Sequence, residues 1–206
     1  MGAPPSSERS FMPVLASCHR VILVCHRMPR LAPVAAAGLA IASIPGAPAV
    51  AAPAVSQAAH LVTSQKLDWQ TATALATDAV RACAAQGYSV TAAVVDPSGH
   101  EQVIIKGDTV PLQSLSVSYR KAYTAFSYGL AFNQDTTSAL IKGGFSGPAN
   151  GALNTIPEVL FVPGGVTLRR ADRTVIGGIG VSGAPGGDKD EACAQAAVTR
   201  HRAEFQ

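Results

Sequence analysis

The chain has 206 residues, a formal net charge of +3, 48% apolar residues and only 14% charged ones. That balance excludes a polyelectrolyte tail and fits one domain with additional sequence at an end. From Val55 onward twelve cationic residues meet twelve acidic ones, so the net charge there is zero and nucleic acid is not an expected partner.

The front end differs from the rest. Arg27 and Arg30 flank Met28, Val34–Ile44 is a run of small apolar residues, and Ala47-Pro48-Ala49 and Ala52-Pro53-Ala54 each offer a small-residue cleavage site. This is the pattern of a secretory signal, with Met28 or Met12 as the true start. The apolar run is shorter than the roughly 20 residues a membrane-spanning helix needs. Residues 1–54 are therefore expected to be a leader, residues 55–206 a single domain, and the mature protein exported to the periplasm or outside the cell. Cys18 and Cys25 leave with the leader. Cys83 and Cys193 remain; an exported chain can pair them, but they are read as two small buried apolar side chains.

Asp68 caps a first helix, in which Trp69, Ala72, Ala76, Ala79, Val80 and Cys83 recur on one face before Gly87 stops it. Val90–Val95 and His100–Lys106 are two strands of a hairpin around the turn Asp96-Pro97-Ser98-Gly99. A long helix is expected over Gln113–Leu130 and a shorter one over Asp135–Lys142, followed by a glycine-rich loop over Gly143–Gly151. Glu158–Val162, Val166–Arg170 and Thr174–Val181 read as a three-strand meander. A last helix runs from Asp188 to about Glu204, with Asp188 and Glu191 spaced as a capping box. The order α-β-β-α-α-β-β-β-α, with hairpin-type links, implies an α+β domain: a mainly antiparallel five-stranded sheet flanked by helices.

Gly178-Ile179-Gly180-Val181-Ser182-Gly183 fits G-x-G-x-x-G letter for letter. A dinucleotide fold needs those glycines at a strand-to-helix turn and a second strand beyond it. Here they lie inside a strand, and the 23 residues after Gly183 form only a helix and a tail. The dinucleotide reading is excluded. Gly178 and Gly180 instead leave one strand face bare, for a packed helix, another backbone or a ligand. No hydrolytic triad or zinc signature is present: Ser118-Tyr119-Arg120-Lys121 matches S-x-x-K but lacks its companion motifs. In the long helix, Tyr119 and Tyr123 share one face and Arg120 and Thr124 another. Two adjacent cations, Arg120 and Lys121, can meet an anionic ligand or simply form a solvated edge. His100, just after the tight turn, is either an exposed turn histidine or an imidazole placed for a haem iron, with tyrosine as an alternative axial ligand.

Four stretches, "VTAAVVDPSGHEQVIIKGD", "SYRKAYTAFSYG", "PGGVTLRRADRTVIGGIGVSG" and "DEACAQAAV", resemble the GlcG/HbpS haem-binding family, which is also similar to the C-terminal domain of PduO-type proteins. The resemblance runs from about Leu67 to Glu204. It implies a profilin-like three-layer domain, homo-oligomers (octamers in the family), and in some members export and a membrane sensor kinase partner. Lys121 and Thr124 fall in the family's K-A-x-T-A segment, and Gly164, Gly165, Gly178 and Gly180 in its glycine motifs. Ser98 stands where family stretches carry the first glycine of GGH, and Gly107-Asp108-Thr109 replaces a DGA-type motif. The reading that results is an exported, non-catalytic haem-binding protein. Its pocket is expected between the long helix and the glycine-faced sheet, with Arg120 or Lys121 meeting propionates and His100, or one of Tyr119 and Tyr123, meeting iron. Two alternatives stand beside it: a site for a small glycolate-like hydroxy acid anchored by Lys121, and a ligand-free oligomeric scaffold.

Overall fold

A computed structural model describes residues 62–206; the expected leader lies outside them. Helix α1, Trp69–Ala84, begins at Asp68, whose carboxylate accepts the Thr71 N–H at 2.8 Å. Strands β1 (Thr91–Val95) and β2 (Glu101–Lys106) follow, then the long helix α2 (Ser114–Phe132) and the short α3 (Thr137–Lys142). A stretch of 3-10 helix covers Pro148–Thr155. Strands β3 (Gly165–Arg169) and β4 (Val175–Ser182) lead to the last helix, α4 (Gly187–His201).

The sheet is antiparallel with the order β2-β1-β4-β3. It has four strands among the described residues, not five. The apolar run Glu158–Val162 does not join it: Arg120 Nη2 donates to Val159 O at 2.8 Å, and Leu160 N–H donates to Thr124 Oγ1 at 2.8 Å. Those backbone groups are spent on the side chains of α2, so the segment lies over the helix rather than in a ladder. The β3 edge is instead closed by Thr136, bridged to Val166, and by Asp135, whose carbonyl accepts the Thr167 N–H.

Alternation along the strands sorts the two faces. Ala92, Val94, Val166, Leu168, Ile179 and Val181 pack with α1 and α4 in the main core. The expected stripe of α1 is buried there except at Val80, which is half-buried, and at Trp69. Trp69 is 65% exposed, because Leu67, one residue before the cap, occupies the core position instead. The other face carries Gly165, Gly178 and Gly180, and α2 lies on it. A Cβ on Gly180 would meet the backbone of Ser118 and Ala122, and one on Gly178 the carbonyl of Ala122. Small residues Ser118, Ala122, Ala125 and Gly129 complete the contact from the helix side.

Cys83 and Cys193 are bonded to each other, with Cα atoms 5.4 Å apart. This overturns the reading of two separate buried thiols. Side-by-side packing of α1 and α4 brings together residues 110 positions apart, which no local spacing announces. The same two helices share an ionic tie: Asp78 accepts His201 Nε2 at 3.0 Å and pairs with Arg200 at 3.2 Å. Burial would raise the Asp78 carboxyl, but hydrogen bonds and charge from His201 and Arg200 hold it below its ordinary value of 3.8. The folded value lies below the unfolded one, so the stability Asp78 contributes is present above the unfolded value and lost as pH falls through the folded one. The gap in denaturation midpoint between wild type and Asp78→Asn is therefore expected at pH 5 and should close below about pH 4. A gap that widens on acidification would contradict the sign.

Candidate functional site

The expected pocket between α2 and the glycine face is filled by the helix itself. Lys121 is 2% exposed; its ammonium donates to Asp190 Oδ2 at 2.7 Å and to Val181 O at 3.0 Å. Gly164, at φ +129°, makes room for that side chain, since a Cβ there would sit 2.7 Å from Lys121 Nζ. Gly165 meets the helix at the Lys121 carbonyl. Burial pushes the Asp190 carboxyl up, while the hydrogen bond and charge of Lys121 and the Ala184 N–H pull against it. Next to it, Glu191 Oε2 accepts the Thr137 hydroxyl and the backbone N–H groups of Ser138 and Gly164. Glu191 therefore binds α3 and the start of β3 rather than closing a capping box with Asp188; the cap residue of α4 is Gly186, with no side-chain hydrogen bond.

Lys121, Gly164, Gly165, Gly178 and Gly180 thus form one buried latch joining α2, the sheet and α4. Thr124 belongs to the same architecture: its hydroxyl donates to Arg120 O and accepts from Leu160 N, and it is fully buried. A hydroxy acid cannot use Lys121 as an anchor while Asp190 neutralises it.

The structure does gather a different subset of the expected residues. His100 is exposed at the mouth of the β1–β2 turn. Asp96 builds that turn, its carboxylate accepting the Ser98 and His100 N–H groups at 2.8 and 3.2 Å. The turn rests on α2. The Tyr119 hydroxyl donates to Gly99 O at 3.4 Å, and a Cβ on Gly99 would come within 2.8 Å of the Tyr123 ring. The rings of Tyr119 and Tyr123 stand 6.2 Å apart at 52°. On the neighbouring face of α2, Arg120 Nε is buried without a hydrogen-bond partner among the described residues. Burial, and then the charges of Glu158 and Glu101 and the neighbouring Tyr123, raise the Tyr119 hydroxyl above its ordinary value. It stays a neutral donor, and a tyrosinate is disfavoured there.

Asp96, Asp190 and Glu191 were not named as site residues from the sequence, where Asp96 was read only as a turn residue and Glu191 only as half of a capping box. Asp96 carried a signal, because an Asx-type turn is implicit in Asp-Pro-Ser-Gly. Asp190 lies 69 positions from Lys121 and carried none. Among the described residues no three His, Cys, Asp or Glu side chains cluster to hold a bare metal ion, and no helix is long and apolar enough to cross a membrane.

Residues 67–199 match the model of a family described as HbpS-like haem-degrading proteins. No curated protein matches the chain closely enough to report. Among solved structures, a double mutant of HbpS from Streptomyces reticuli shares 37% identity at a TM-score of 0.62, over 73% of this chain and 97% of that one. HbpS in a second structure shares 38% at 0.61, over 69% and 97%. A PduOC–haem complex shares 28% at 0.56, over 65% and 94%. The α+β fold and these matches agree: the chain belongs to the HbpS-like family.

Proposed function

We propose that this protein binds haem on the outer surface of α2, where the β1–β2 turn crosses it, with His100 as the iron ligand. The observation that carries the proposal is that the turn bearing the exposed His100 rests, through Gly99, on Tyr119 and Tyr123 of α2. The donor set fits the group: an imidazole for iron, aromatic faces for the macrocycle, and the guanidinium of Arg120 for a propionate. Between the two cations considered, the burial and neutralisation of Lys121 favour Arg120. Between imidazole and phenol, the raised Tyr119 hydroxyl favours His100. Bound haem would supply an iron centre open to redox change; the protein's own residues bind and orient it. No residue is assigned to haem breakdown. Export is part of the proposal and is supported by the Cys83–Cys193 bond, since disulfides persist in oxidising compartments.

A haemin titration of the chain from Val55 onward, read at the Soret band, tests this. Saturable one-to-one binding is expected, weakened by at least about tenfold in His100→Ala and unchanged in Tyr119→Phe. Binding unaffected by His100→Ala but lost in Tyr123→Phe would move the iron to Tyr123. No saturable binding would overturn the proposal.

A further inference from the structure

A concave site lies at the β3 edge of the sheet, opposite the β2 edge that follows His100. A cavity of about 330 Å³ opens between the β3–β4 turn, the link from α2 to α3, and the C-terminal end of α4. Its volume is at the small end of ligand-binding cavities. Val166, Val198 and Ala171 give it an apolar wall, and Arg169, Arg170, Arg173 and Arg202 surround it, with Asp135 as the lining carboxylate.

Two of the four guanidiniums are committed. Arg169 Nε donates to Asp135 at 2.7 Å, and its Nη atoms reach the carbonyls of Arg173, Gly129 and Gln134. Arg173 donates to Asp135 at 3.1 Å and to Asn133 at 2.9 Å. Asp135 is thereby satisfied, and the hydrogen bonds and charges of these two arginines hold its carboxyl below its ordinary value although burial opposes them. The other two keep donors to spare. Arg170 Nη1 meets Gln65 and Asp172, but its Nε is buried with no hydrogen-bond partner among the described residues. Arg202 is exposed and makes no ion pair among the described residues. Gln195 and Thr199, one turn apart on α4, bring an amide and a hydroxyl to the same wall as Arg202, which caps that helix.

Arg173 adds an independent observation. It holds φ +73° in the β3–β4 turn, a left-handed conformation that glycine adopts more readily than a side-chain-bearing residue. The turn nonetheless carries a guanidinium, and that side chain reaches back across the cavity mouth to Asp135. Four guanidiniums stand against two carboxylates, Asp135 and Asp172, and an anion between them would relieve the remaining repulsion.

We infer that this cavity is a binding site for a small organic anion, a carboxylate or phosphate ester with a short apolar body. Arg170 and Arg202 grip the anionic group, Arg169 and Arg173 form the fixed frame, and Val166 and Val198 receive the body. The site is separate from the haem surface and does not depend on it.

Isothermal titration with succinate and with glycerol phosphate, at ionic strength matched by sodium chloride, tests the inference. Saturable binding of at least one probe is expected, and which one binds separates carboxylate from phosphate chemistry. Arg170→Gln combined with Arg202→Gln should weaken it at least tenfold, Arg202→Lys alone should weaken it less, and haemin binding should not change. Should a variant lose its fold, as read by circular dichroism, the comparison is made with Thr199→Val. Heats that never saturate, or that match in wild type and variants, would overturn the site.

Discussion

Reducing the Cys83–Cys193 bond is expected to lower the unfolding free energy by about 4–5 kcal/mol, the loop-closure entropy of a cross-link spanning about 100 residues. The bond closes a segment of 110 residues that contains all four strands and two of the four α-helices of the described residues. Both cysteines are fully buried between α1 and α4, so a reductant reaches them only when the helices part. The measurement is a guanidinium titration of oxidised protein against protein unfolded, reduced with a phosphine and refolded. The double variant Cys83→Ala/Cys193→Ala serves as a reductant-free control. Midpoints that coincide would mean that the helices are held by packing alone.

Replacing Lys121 by Met is expected to cost about 3–5 kcal/mol, because it leaves the Asp190 carboxylate buried and unpaired. Asp190 is 3% exposed, with its second oxygen on the Ala184 N–H, so water cannot take over from the ammonium. Adding Asp190→Asn should restore most of the loss: it removes the buried charge and keeps an acceptor for Ala184. The pair of variants separates two roles. A latch predicts a large loss of stability in Lys121→Met, rescued in the double variant. A ligand anchor predicts unchanged stability and weakened binding in both.

The parts of the fold that local chemistry dictates were readable in the chain. Asp68 capping α1, the Asp-Pro-Ser-Gly turn and the alternation in β4 each follow from residue type at fixed spacing. The misread strand at Glu158–Val162 shows where that reasoning stops. Its apolar run is strand-like, but Arg120 and Thr124, some 40 positions earlier, take its backbone groups. The bare glycine face was legible as a place of close approach; that α2 occupies it was not, because ligand, strand and helix leave the same glycine signature. The candidate site divides in the same way. His100 and the tyrosines could be named from the sequence, and the partner that removes Lys121 from ligand chemistry could not.

The bridge between the first and last helices also sets how the molecule bears load. Tension applied at the two ends of the domain passes from α1 into α4 through a covalent bond and bypasses the sheet. The 110 residues inside the loop represent a contour length of about 40 nm that an oxidised molecule cannot pay out. Stretching can peel only the segments outside the cysteines, most of α1 and the end of α4, so the four strands cannot be drawn out until the bond is cut.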